Sequence, residues 1–80
     1  MDIRRRVGIN VRRIREERGY SQEELAFESG LHRTYISGVE RGIRNPTVRV
    51  LDRIASALKV PAARLLEESA TSTRATSRKG

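Results

Sequence analysis

Between Arg33 and Asn45 the chain reads RTYISGVERGIRN, and its polar members are side chains suited to anions or to the edge of a nucleic-acid base. An arginine fork donates two parallel hydrogen bonds to the paired acceptors of guanine, and Thr or Ser hydroxyls donate or accept at other base edges. If the segment is helical with Ile36 and Val39 turned inward, a step of ~100° per residue sends Thr34, Ser37, Gly38 and Arg41 outward. Arg33 then stands at the N-terminal shoulder and Tyr35 on the far flank. A solvent-facing helix with no partner more often carries Glu/Lys pairs four residues apart. Gly38 stands out, because mid-helix glycine costs ~1 kcal/mol relative to alanine. Close approach of the helix backbone at Gly38 to DNA or a partner, and a simply tolerated cost, both fit.

Other chemistries find little material. There is no Cys and one His, which excludes a disulfide scaffold and a thiolate zinc site. Hydrolysis would want converging carboxylates for a metal, or a nucleophile beside a base. Glu16-Glu17, Glu23-Glu24 and Glu67-Glu68 are adjacent pairs on separate elements instead. No enzymatic activity, metal, cofactor or small-molecule ligand is expected. His32 serves the start of its helix, and Tyr20 packs. Neither a secretory signal nor an apolar run of ~18 residues is visible, so a cytoplasmic protein with no membrane association is expected.

The charge favours a polyanion. Of 80 residues 17 are Lys or Arg and 10 are Asp or Glu, a formal net charge of +7. Residues 1–68 carry 14 basic and 10 acidic side chains, net +4; residues 69–80 carry Arg74, Arg78 and Lys79 with no acid. Such a surface concentrates and steers DNA, RNA or an anionic membrane. Geometry must choose among them.

The elements that would position these residues are helices. No alternating run supports a strand, and there is no internal repeat. With 36% hydrophobic and 4% aromatic residues, the core must be aliphatic. One domain, residues 1–68, is expected to hold five helices, with 69–80 a basic, Ser/Thr-rich disordered tail. Helix 1 spans about Ile3 to Arg18, capped by Asp2 and stopped at Gly19, with Ile3, Val7, Val11 and Ile14 in one arc. Arg5, Arg6, Arg12 and Arg13 lie away from that arc, and Ile9 points to the opposite side. Helix 2 follows Ser21, where Glu24 completes a capping box. It buries Leu25 and Ala26 and ends at Gly30. Helix 3 covers about His32 to Arg41, closed by Gly42. Ile43 to Pro46 form a loop. Thr47 caps helix 4, whose apolar face holds Val48, Leu51, Ile54, Ala55 and Leu58. Pro61 opens a short helix 5 carrying Leu65 and Leu66.

The ordered set Ser21-Gln22-Glu23-Glu24-Leu25-Ala26, Gly30, Ile36-Ser37, Glu40-Arg41-Gly42 and Asn45-Pro46 resembles the lambda-repressor/Cro-like helix-turn-helix family, also called the xenobiotic-response-element type. The likeness spans about Val7 to Leu66. Within it, Arg33 to Arg41 is similar to controller proteins of restriction–modification systems. The resemblance implies a compact all-α Cro/repressor-like domain that binds a two-fold symmetric DNA operator as a homodimer, as repressor or activator of transcription. It implies base contacts from Arg33 and Thr34, contacts to a base or the DNA backbone from Tyr35 and Ser37, and phosphate contacts from Gln22, Arg44 and Asn45, with Arg41 a further candidate there. Many phage members place a long polar side chain where this chain has Gly38, which shifts expected specificity toward Arg33 and Thr34. Arg15 and Glu40 match a buried structural ion pair. From charge patterning, Arg12 is the candidate phosphate contact of the N-terminal arginine cluster, which otherwise reads as a solvated face. Leu65, Leu66 and helices 4 and 5 are the expected dimer face. A cytoplasmic bacterial or phage protein, nucleoid-associated when bound, is expected.

A second class of function uses the same scaffold: an antitoxin that neutralises a toxin and represses its own operon. Its discriminating observation is a co-purifying small toxin. A toxin or RNA polymerase is therefore the protein partner to expect beside DNA.

Overall fold

Three of the four α-helices start where a short polar side chain takes over backbone donors that the helix leaves unpaired. The computed structural model describes residues 2–68, and α1 runs over Ile3–Glu17, α2 over Gln22–Ser29, α3 over Arg33–Glu40 and α4 over Val48–Leu58. Asp2 accepts from the Arg4 backbone N–H at 2.8 Å ahead of α1. Ser21 and Glu24 form the reciprocal box that opens α2, with bonds of 3.0 and 2.7 Å. Thr47 caps α4 through the Val50 N–H at 3.1 Å. α3 has no such cap, since the His32 side chain makes no capping bond.

The stops are equally local. The α2–α3 turn passes through Gly30 at φ 73°, a left-handed conformation that glycine adopts without a steric penalty. Lys59 takes the same region at φ 63° to end α4.

The architecture is all-helical among the described residues, but with four α-helices rather than five. Ala62–Leu66 forms a single 3-10 turn, not an α-helix. Pro61 before it and Glu67 after it are both extended, which leaves five residues, too few for a useful ladder of four-residue bonds. The turn is held from outside instead. Asn10, fully buried, donates its amide to the carbonyls of Leu65 at 2.9 Å and Glu67 at 2.7 Å.

A single aliphatic core joins Val7, Val11 and Ile14 of α1 to Leu25 and Ala26 of α2, and to Ile36 and Val39 of α3. Leu51, Ile54, Ala55 and Leu58 of α4 and Leu65 of the 3-10 turn complete it. α1 crosses the end of α3 so closely at Gly8 that an added Cβ would overlap the Val39 and Glu40 carbonyls.

Three side chains expected to face inward or outward do otherwise. Ile3 and Val48 leave the core, 49% and 82% exposed, because each is the first residue of its helix and projects past the neighbouring elements. Leu65 is fully buried within the protomer, so it is not part of a surface face; only Leu66, 43% exposed, reaches solvent. Gly38, expected to face outward, is buried as well. The basic 69–80 stretch, expected to be a disordered tail, lies outside the described residues.

Candidate nucleic-acid interface

α3 is anchored from below by an ion pair. The Arg15 guanidinium of α1 donates to the Glu40 carboxylate through Nε at 2.6 Å and Nη2 at 3.2 Å, with side chains only 11% and 4% exposed. The third donor, Nη1, bonds the Tyr20 carbonyl at 2.8 Å. Gln22 adds its amide to Glu40 at 3.0 Å. One carboxylate thus ties the last turn of α3 to α1 and to the first turn of α2. Charge-assisted bonds in a shielded site are the strong kind, and they set the angle at which α3 is presented.

Above this anchor, Arg33 and Thr34 are exposed and make no side-chain hydrogen bond with other described residues. Ser37 is half-buried, and Arg41 is exposed with a long contact of 3.4 Å from its Nε to the Ser37 carbonyl. Tyr35 is half-buried against the core. Its ring lies under the Arg44 guanidinium, whose central carbon is 5.5 Å from the ring centroid, a cation–π arrangement. Arg44 and Asn45 follow in the exposed loop. Its first residues fold back on the helix, the Ile43 and Arg44 backbone N–H groups both donating to the Gly38 carbonyl at 2.9 and 3.2 Å.

Arg33, Thr34, Tyr35, Ser37, Arg41, Arg44 and Asn45 therefore share α3 and the loop leaving it, while Gln22 stands at the start of α2 beside the Glu40 anchor. Arg12 is on α1, exposed and paired with Glu16 at 3.2 Å.

Sequence reasoning named Arg44 as a phosphate contact but missed its packing over Gly38, and it missed Arg53 and Asn10 altogether. Arg44 covers Gly38, so that glycine is not an open outward position. The signal was a glycine at an outward position with a long cation six residues on. Arg53 of α4 reaches back to the end of α2, donating to the Ser29 carbonyl at 3.1 Å and the Gly30 carbonyl at 3.0 Å, and so braces the turn ahead of α3. Nothing in the local pattern marked it. Asn10 was legible, since it falls in the same helical arc as Val7, Val11 and Ile14.

Among the described residues no group of three or more His, Asp or Glu side chains stands together as a metal would need, and no helix is long and apolar enough to cross a membrane.

Comparison with known proteins bears on the whole arrangement. The sequence profile described as "Helix-turn-helix" matches residues 11–65. The control protein C.BamHI of Bacillus amyloliquefaciens is 48% identical over 67 residues, covering 82% of this chain and 83% of that protein. The crystal structure of the restriction–modification controller protein C.AhdI from Aeromonas hydrophila superposes with a TM-score of 0.76 at 42% identity, over 78% of this chain and 94% of that one. The controller protein C.Esp1396I, solved as a tetramer in complex with its natural 35-base-pair operator, matches with a TM-score of 0.75 at 40% identity, over 81% of this chain and 86% of its own. The chain belongs to the helix-turn-helix family of DNA-binding transcriptional regulators, of the lambda-repressor/Cro-like type.

Proposed function

We propose that the protein binds a two-fold symmetric operator as a homodimer and controls transcription from it, with α3 lying in the major groove. One observation carries this reading. The helix following the turn presents Arg33 and Thr34 to solvent with their hydrogen-bonding groups uncommitted among the described residues, on a scaffold anchored beneath by the Arg15–Glu40 pair. Arg33, Thr34, Tyr35 and Ser37 contact bases. Gln22, Arg41, Arg44, Asn45 and Arg12 contact phosphates, which fix register and orientation while base contacts carry sequence information. Arg12 must exchange its Glu16 partner for a phosphate, an exposed pair of little net worth. Gln22 keeps one amide hydrogen free of Glu40 for a phosphate oxygen.

The dimer face is the shallow apolar depression lined by Val48, Leu51, Ala62, Ala63 and Leu66. Arg49 and Asp52, of opposite charge, border it. A two-fold axis there sets the Arg49 of each protomer near the Asp52 of the other, so that the patch is self-complementary as an isologous interface requires. Dimerisation places two α3 helices about one DNA turn, ~34 Å, apart. The operator-bound tetramer of C.Esp1396I supports DNA as the partner. No observation here favours the antitoxin reading.

The test is selection of bound sequences from randomised DNA at near-physiological salt. A two-fold symmetric consensus with a guanine preference is expected. Arg33→Ala should cost ~1–3 kcal/mol and relax selectivity at one base pair per half-site. No enrichment over random DNA, or an Arg33→Ala loss equal for every sequence, overturns the reading.

A further inference from the structure

Gly38 lies inside α3 with ordinary helical backbone, unlike Gly19, Gly30 and Gly42, whose φ angles are positive. Conformational freedom therefore does not explain it, and alanine would be the better helix former there. Space does. A Cβ at position 38 would come within 2.7 Å of the Arg44 Cγ, 3.3 Å of its Nε and 3.5 Å of its Cδ. The stem of Arg44 thus lies across the bare backbone of α3, which is what buries Gly38 at an outward helical position. The crossing carries the guanidinium to the face of Tyr35. The backbone on both sides of the crossing is pinned, because the Gly38 carbonyl receives the Ile43 and Arg44 N–H groups.

We propose that Gly38 is a positioning residue for DNA binding: its missing side chain admits the Arg44 stem onto the outer face of α3, and so delivers the loop's cation, braced on Tyr35, to the same surface as Arg33 and Thr34. Arg44 occupies the space that a residue-38 side chain would fill. The contact that a helix-borne side chain would make at that turn is replaced by one from the loop. Gly38 itself touches no DNA; it acts through Arg44. This rests on the DNA-binding reading above.

The experiment is a double-mutant cycle of Gly38→Ala and Arg44→Ala, read as affinity for the selected operator at several salt concentrations. With Arg44 present, Gly38→Ala should weaken binding about tenfold and lower the salt slope by roughly 1, the signature of one lost phosphate contact. In the Arg44→Ala background the same change should cost less than about twofold and leave the slope alone, since coupled residues are non-additive. The melting temperature of Gly38→Ala should not fall below that of wild type. In the free protein, the ring-current shift of the Arg44 side-chain protons over Tyr35 should disappear on Gly38→Ala, an NMR readout that needs no DNA. An equal Gly38→Ala cost in both backgrounds, or wild-type affinity in the single variant, overturns the proposal. Failure of the double variant to fold also overturns it, because no Arg44 stem remains to clash. Wild-type protein that selects no operator refutes the DNA-binding reading, and the NMR arm still reports whether Gly38 positions Arg44.

Discussion

Replacing Glu40 by alanine removes the acceptor that joins α1, α2 and α3. Three side-chain hydrogen bonds vanish, two from Arg15 and one from Gln22. What remains is worse than their loss. Among the described residues the Arg15 side chain, 11% exposed, keeps only the Tyr20 carbonyl and a marginal 4.0 Å approach to Glu16. Stranding a shielded charge in this way costs about 3–5 kcal/mol. A domain of this length holds roughly 4–12 kcal/mol in total, so the variant gives up a large part of its stability. At about 4–8 °C per kcal/mol for a domain this small, the thermal midpoint should drop by at least about 12 °C. Melting followed by circular dichroism measures it. High salt should rescue little, because a charge this shielded is screened much less than a surface charge. The control is Arg15→Met combined with Glu40→Leu. Apolar replacement of both partners removes the stranded charge, so the double variant should recover most of the loss. If Glu40→Ala costs under about 1 kcal/mol, or the apolar double is as unstable as the single, the anchor is not the ion pair and the reasoning fails.

Asn10→Ala leaves the Leu65 carbonyl without its buried donor and loosens the 3-10 turn, which should cost about 1–3 kcal/mol and lower the urea midpoint at constant slope. Val48→Glu changes a side chain that is 82% exposed, so helicity should be retained while sedimentation shows a monomer at concentrations where wild type is dimeric; an unchanged dimer would move the interface elsewhere. The Asp2 carboxyl is held down at about 2, against an ordinary 3.8, chiefly by the Arg4 guanidinium bond and then by the Arg4 backbone N–H. Its stabilising effect is therefore present above about pH 4 and lost as pH falls toward 2, so melting curves of wild type and Asp2→Ala should converge across that window. The pair is solvent-exposed, and the gap to close is small.

Much of this was legible because helix starts and stops are written in adjacent residues. Asp2, Ser21 with Glu24, and Thr47 cap where their spacing says they should, and Gly30 turns where a left-handed residue is needed. The aliphatic arcs of α1, α3 and α4 follow from the 3.6-residue period, and Arg15–Glu40 forms as the family likeness implies. What was not legible depended on partners remote in sequence. Periodicity assigns a direction to Ile3 and Val48 but does not say that the neighbouring element ends before reaching them. The same limit hid the burial of Leu65, set by Asn10 some 55 residues earlier, and the bracing of the turn by Arg53. Gly38 belongs with these: its reason is a side chain on the following loop, invisible to a reading of α3 alone.

The contacts also assign α1 a role that its sequence only suggests. α3 packs on α1 and α2, whereas the 3-10 turn packs on α1 and α4, beside the apolar patch of Val48 and Leu66. α1 is common to both pairs. It carries Gly8 against the end of α3, Arg15 against Glu40, and Asn10 against the 3-10 turn. The angle between α3 and the proposed dimer face is therefore held by α1 through three separate contacts, with α2 packed between α3 and α4 and Arg53 of α4 bracing the α2–α3 turn as a second support. A two-fold operator is read only when two α3 helices meet successive turns of DNA in register, so an error of angle in one protomer is doubled across the axis. Buried, geometrically demanding contacts at Asn10 and Arg15 are the means by which a chain of 80 residues with a small aliphatic core keeps that angle.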